Sequence, residues 1–439
     1  MKKYLLLLTA LLPLVVSAEK VEINGIWYNL VSKAKTAEVT FKGDYSDSYD
    51  EYSGSIIIPA TVTYNGVAYR VTSIGENTFN NCTDLTSITL SEGVTSIGSG
   101  AFYWCGSLTS ITIPTSVTSL GLKAFGGCSS LISLTLPEGV TSIGNDAFEE
   151  CTTLTTINIP KSLTSIRWGT FFNCSNLAAI TIPENSQLMS IEGLAFSGCS
   201  SLTAITLPEG MTSIGDYAFL GCSSLTAINI PESVTSIGSY AFQGCSSLTT
   251  ITLPESMTSI GGGAFFRCSS LTSITLPGGL TSIGGDTFYN CISLTSIILP
   301  EGVTRIGGGA FYNCSSLTTI TLPKSVEYVN SEAFADCPEL SDVYCYAETV
   351  PGTDADAFVG SYIEYATLHV PASALADYKR TAPWSGFGTI VPLTDENMGV
   401  EQLTGDDRKM TIYDLTGRRV AHPTKGEIHI VGGKKVVIK

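Results

Sequence analysis

The chain has 439 residues, 44% of them hydrophobic, with 43 Gly, 18 Pro and 13 Cys, which is too apolar for a disordered protein and too long for a disulfide-stapled miniprotein. Its formal charge of −16 speaks against nucleic acid and anionic lipid as partners, since both are held by a basic field. The three histidines, His369, His422 and His429, lie in the last fifth of the sequence, so acid–base or metal chemistry over most of the length would have to proceed without imidazole.

Residues 1–18, MKKYLLLLTALLPLVVSA, combine Lys2 and Lys3, an apolar run and the small residues Ser17 and Ala18. This is the pattern of a secretory signal peptide cleaved after Ala18. The run is short for a membrane span, and Glu19 and Lys20 end it. No transmembrane segment is expected in the mature chain. Residues 19–54 then form an N-terminal cap ahead of a repeat.

Twelve cysteines, Cys82 to Cys337, recur at a step of 23 residues, broken once by a step of 25 between Cys174 and Cys199. A Phe stands three residues before each and a Leu three residues after. One unit reads GDYAFLGCSSLTAINIPESVTSI, from Gly215 to Ile237. Gly215 suits a left-handed or tight turn, and Phe219 and Cys222 share one face of a helical turn. Leu225, Ile228 and Ile230 give the apolar side of a short strand that Pro231 ends. A unit of this size buries none of these faces alone, so units must stack, each Leu, Ile, Phe and Cys on its counterpart. The fold class is therefore a repeat solenoid of parallel strands and short helical turns, right-handed, with about twelve to thirteen coils over residues 55–345.

The unit L-x-x-I-x-L-P-x-x-V-x-x-I-G-x-x-A-F-x-x-C resembles the BspA-type bacterial leucine-rich repeat. INGIWYNL and SGSIIIPATVTYNGVAYRVTSIG resemble that family's N-terminal segment, and residues 346–392 its closing cap. The resemblance implies a secreted or surface protein of anaerobic bacteria, engaged in adhesion to host proteins and other cells, and implies no catalysis and no cofactor.

Arg167 and Trp168 interrupt the usual Ile-Gly turn, and two residues are inserted around Glu184–Leu188; the stack is expected to bulge there. Equivalent cysteines in stacked coils point the same way, whereas a disulfide needs converging Cβ atoms. They read as small buried hydrophobes beside their Phe. Cys337 and Cys345 are the one off-period pair, and both a bridge and two free thiols satisfy the pattern. No Cys-x-x-Cys pair, H-E-x-x-H, P-loop or G-x-S-x-G motif occurs, so no metal, cofactor or catalytic residue is assigned.

Residues 393–409 read as a linker, and residues 410–439 as a small antiparallel β module. From Arg408 to Lys439, 8 basic residues face 2 acids, a sign change that marks a separate unit. IYDLTGRRV, followed by KG and GGKKVVIK, resembles the C-terminal sorting domains of the type IX secretion system.

Three surface stripes remain. Thr89, Thr112, Thr135, Thr181, Thr206, Thr252, Thr275 and Thr321 stand seven residues after their Cys; such a hydroxyl row is ordinary for an exposed sheet face, with ice or mineral binding as a remote alternative. Glu209, Glu232 and Glu255, joined by Glu138, Glu184 and Glu301, follow the repeat Pro as a solvated acidic edge. The third stripe is aromatic: Phe266, Tyr289 and Tyr312 two residues before the Cys, with Tyr103 and its neighbour Trp104 in an earlier coil, and Tyr217 and Tyr240 five residues before it. Several other coils carry Gly, Ser, Asn or Gln there, so the core does not require an aromatic ring. These seven residues are the candidate ligand surface, suited to a protein partner, a host matrix or cell-surface protein, and secondarily to a glycan. A monomer, secreted or at the bacterial surface, is expected.

Overall fold

The computed structural model describes residues 18–42 and 52–394, together with the strands at 400–402, 412–413, 428–431 and 434–437. The signal segment before Ala18 and most of the predicted linker lie outside the described residues. Strands Glu19–Ile23, Ile26–Val31 and Thr36–Thr40 form an antiparallel meander whose last member pairs in parallel with Val67–Ile74. From there the chain winds a parallel solenoid of about fourteen turns. The sequence suggested twelve to thirteen, because a coil past Cys337 keeps the strand without keeping the Cys: Thr367–Val370 and Thr389–Pro392 extend the ladder beyond Asp342–Cys345.

Each coil meets its neighbours along three columns. The first holds the longer strands, such as Leu85–Leu90 and Ser110–Thr112, in register at 23-residue steps. The second holds two-residue strands such as Ser96–Ile97 and Ser119–Leu120. Both are interrupted along the molecule; the second stops after Ser142–Ile143 and again after Ser259–Ile260, and nothing in the structure explains the latter break.

The third column is unbroken and holds the Phe and Cys. The Phe N–H donates to the residue before the next coil's Phe, from Phe79 on Ala101 to Phe334 on Ala357, at 2.8–2.9 Å. Each thiol from Cys105 to Cys337 donates back to the preceding coil's Phe carbonyl at 3.0–3.3 Å. Sγ is thus a donor as well as a hydrophobe. The rings stack from Phe79 to Phe358 with centroids 5.1–5.7 Å apart. Tyr52 closes the stack at one end, 4.9 Å from Phe79, and Trp384 at the other, edge-on to Phe358. All thirteen cysteines are buried free thiols, Cys337 and Cys345 included, and Cys345 Sγ instead meets the Tyr378 hydroxyl at 3.2 Å.

Two local expectations need correction. The Phe–Cys segment is a run of hydrogen-bonded turns instead of a continuous helical turn, because two residues per coil, one before the Cys and five before it, sit at positive φ between 51° and 78°. Gly215 is not one of them. The glycine at its position serves close approach: a Cβ on Gly215 would lie 2.6 Å from Gly193 N, and one on Gly261 would lie 2.4 Å from Ser239 N. Neither contact is with a side chain that can turn away. Gly261→Ala is therefore expected to cost about 1–3 kcal/mol of stability in denaturant titration. Gly278→Ala, whose new methyl meets only a carboxylate oxygen 3.8 Å away, should be neutral or slightly stabilising.

Among the C-terminal strands, Ile428–Val431 pairs antiparallel with Ile412–Tyr413 and with Lys434–Val437. Val400–Gln402, within the stretch read as linker, adds a parallel strand against Lys434–Val437.

Candidate functional site

The aromatic stripe is brought together by the stacking of coils. Tyr217 lies 5.3 Å from Tyr240, centroid to centroid, with planes 5° apart. Tyr240 meets Phe266 edge-on at 6.2 Å, and Phe266, Tyr289 and Tyr312 stack at 4.7 and 4.6 Å. Two sequence positions thus merge into one ledge of five half-buried rings over five consecutive coils. Gly263 makes the crossing between the two positions possible, since a Cβ there would lie 2.2 Å from Tyr240 Cε1.

The ledge is maintained against local backbone preference. Tyr217 and Tyr240 have φ of 56° and 54°, a region costly for a bulky residue by about 1–2 kcal/mol. Asn77, Gly100, Asp146, Gly169 and Gly309 hold the same position in other coils and are residue types that tolerate it, while Lys123, Leu194 and Glu332 hold it against the same preference. Charges rim the rings: the Arg267 guanidinium sits 5.3 Å above Phe266. Asp336 at the far end accepts a hydrogen bond from the Tyr312 hydroxyl and pushes its pKa up to about 12.

Tyr103 and Trp104 form a separate patch, in edge contact at 5.7 Å. Lys123 Nζ lies 5.3 Å from the Tyr103 ring and 2.8 Å from Glu149 Oε1. The next coil has Gly126 and Gly127 beneath these rings, so no aromatic continues the stack.

The other stripes have structural explanations. Glu92 and Glu138 receive the backbone N–H of Thr115 and Lys161 at 3.1 Å, and Glu255 that of Gly278 at 3.2 Å, so these three carboxylates cap the turn of the following coil. The threonine row is exposed at seven of its eight positions, but Thr321 is buried. Asn158, which interrupts the row, turns its amide onto Leu136 N and O at 2.8 Å.

One surface escaped the sequence reading. A groove of about 370 Å³ is lined by Pro338, Glu339, Leu340, Ser341, Tyr362 and Tyr365, with Tyr362 57% and Tyr365 86% exposed. The repeat period ends at Cys337, so no register tied these tyrosines to Leu340; the cluster SYIEY was the available signal.

The repeat geometry agrees with what comparison shows. The pattern described as a BspA type leucine rich repeat region, in six copies, matches residues 62–178, 169–287 and 258–378. The chain belongs to the BspA-type leucine-rich repeat family. No curated protein matches it. Among solved structures, a leucine-rich repeat protein from Bacteroides ovatus is 30% identical, with a TM-score of 0.66 over 85% of this chain and 100% of that one. A leucine rich cell surface protein from Faecalibacterium prausnitzii is 32% identical, with a TM-score of 0.53 over 75% and 95%. The pneumococcal vaccine antigen PcpA shares the fold at 18% identity, with a TM-score of 0.52 over 86% and 99%. Among the described residues of this chain no helix is long and apolar enough to cross a membrane.

Proposed function

We propose that this BspA-type chain is a non-catalytic binding protein of the bacterial exterior, an adhesin that grips a host matrix or cell-surface protein along the ledge Tyr217–Tyr240–Phe266–Tyr289–Tyr312. The observation that carries this reading is the mode of ring packing. Sugar stacking needs an open ring face, whereas the faces of Tyr289 are closed by Phe266 and Tyr312. Ring edges and the exposed Arg267 guanidinium remain available, which suits the anchor chemistry of a protein interface. Export through the signal segment ending at Ala18, and sorting through the C-terminal module, belong to the same reading.

A panel of matrix proteins and a glycan array, run on the mature chain, tests it. At least one protein is expected to bind, and Tyr289→Ala should weaken that binding by about 2 kcal/mol or more, roughly thirtyfold, with melting almost unchanged. Binding to sugars alone, or lowered melting with unchanged binding per folded molecule, would overturn the assignment.

A further inference from the structure

The second strand column opens at the coil that carries Arg167. Ser142–Ile143 pairs only with Ser119–Leu120 behind it, and Ser165–Ile166 only with Ser190–Ile191 ahead. Between them stands Arg167, at the position that glycine holds in most coils. One coil earlier a Cβ on Gly144 would lie 2.4 Å from Gly121 C, so the position is tight, although Glu192 and Asn330 hold it in coils that stay paired in this column. The coils part on this side alone. Thr156–Asn158 stays paired with both neighbours in the first column, and Phe148 N still reaches Thr170 O at 2.9 Å.

The parting leaves a polar cavity of about 260 Å³ whose lining includes Asn145, Thr164, Ser165, Arg167 and Glu192. Glu192 also replaces the repeat glycine. Its Oε1 accepts from Ser165 Oγ at 2.8 Å and its Oε2 from Trp168 N at 3.2 Å, so the carboxylate is fixed in place. Arg167 is exposed, and the three ion pairs among the described residues, at Lys123, His369 and Arg380, do not include it. Trp168 occupies the position that Asn145 holds one coil earlier but is not part of the cavity lining. Its indole lies over Gly193, where a Cβ would come 2.3 Å from Cζ3, and 44% of the residue is exposed.

We propose that this cavity binds a single ring of an acidic saccharide of the uronic acid type. The Arg167 fork matches a carboxylate. Asn145, the Ser and Thr hydroxyls and the fixed Glu192 carboxylate match ring hydroxyls as donors and acceptors. The volume is below the roughly 300–1,000 Å³ of pockets for drug-sized ligands, which limits the occupant to one ring or chain end. An acidic peptide side chain would use the arginine and leave the hydroxyls and the amide idle. The site is remote in sequence from the ledge and does not depend on it.

Calorimetric titration of the full chain with glucuronic acid, glucose, acetate and N-acetylglutamate tests the proposal. Glucuronic acid is expected to bind about tenfold or more tighter than glucose, the scale of one charge-assisted contact, with no saturable binding of acetate. Arg167→Gly, which restores the repeat residue, should remove the preference without lowering the melting temperature. Arg167→Gln keeps a polar side chain at this position without the charge and should remove the preference as well. Asn145→Ser, another residue of the repeat, should weaken glucuronic acid binding, and Tyr289→Ala should leave it unchanged. Equal affinity for glucuronic acid and glucose, equal affinity for N-acetylglutamate, or full retention by both Arg167 variants would overturn it.

Discussion

Raising the pH through 9 is expected to unfold this protein abruptly, with a midpoint about half a unit to one unit above the unfolded thiol pKa of ~8.5. Burial pushes the thiols of the periodic cysteines from Cys105 to Cys314 well above their ordinary value, Cys337 to about 12 and Cys345 to about 11. The folded state therefore keeps protons that the unfolded chain releases. The stabilisation is complete below the unfolded pKa and drains away as pH climbs toward the folded values. Each thiol loses up to about 1.4 kcal/mol per pH unit. A dozen acting together remove roughly 10 kcal/mol by about pH 9, comparable with the whole stability of a typical domain. Far-ultraviolet circular dichroism against pH, with thiol labelling in parallel, reads this directly: labelling should be silent at pH 7.5 and complete once the dichroism collapses. A fold intact at pH 10.5 would contradict the argument.

Phe288→Ala should cost about 3–5 kcal/mol, while its sequence neighbour Tyr289→Ala costs little. The Phe288 ring is fully buried between Phe265 and Phe311, at 5.5 and 5.2 Å. Truncation leaves a gap faced on both sides by aromatic carbon, and the unbroken backbone column beside it prevents the coils from closing over the gap. Tyr289 is half-buried, and water fills the space it leaves. Coupling in a solenoid is mainly between nearest neighbours, so the Phe288 variant should also split the urea transition, with coils on the two sides melting separately. A single transition shifted by under ~1 kcal/mol would mean that the stack relaxes around the loss.

The period of 23 residues made the fold legible, because Phe, Cys and Leu identify the inward side wherever coils stack. The ledge was legible for the same reason: an aromatic at a position where other coils have Gly or Asn has no core duty. What stayed hidden depended on distances between coils. Glycine one coil apart reads equally well as turn former or as spacer, and only the 2.4–2.6 Å that a Cβ would leave decides it. The left-handed residue before each Cys is Asn81, Trp104, Glu150 or Arg267 as readily as Gly, so no residue type announces it. Arg167 and Trp168 stood out as departures from the repeat, but a bulge and a cavity look alike until the neighbouring strand is seen to lack its partner.

The Phe–Cys column has an evolutionary consequence. Donor and acceptor hold the same position in every unit, so excising residues 223–245 would bring Cys268 to the Phe219 carbonyl with the contacts it now makes to Phe242. Recombination between near-identical gene segments can therefore lengthen or shorten the array without redesigning any interface. Reach is a quantity that selection is free to adjust, while the parted coils at Arg167 and the two closures, each occurring once, are not interchangeable.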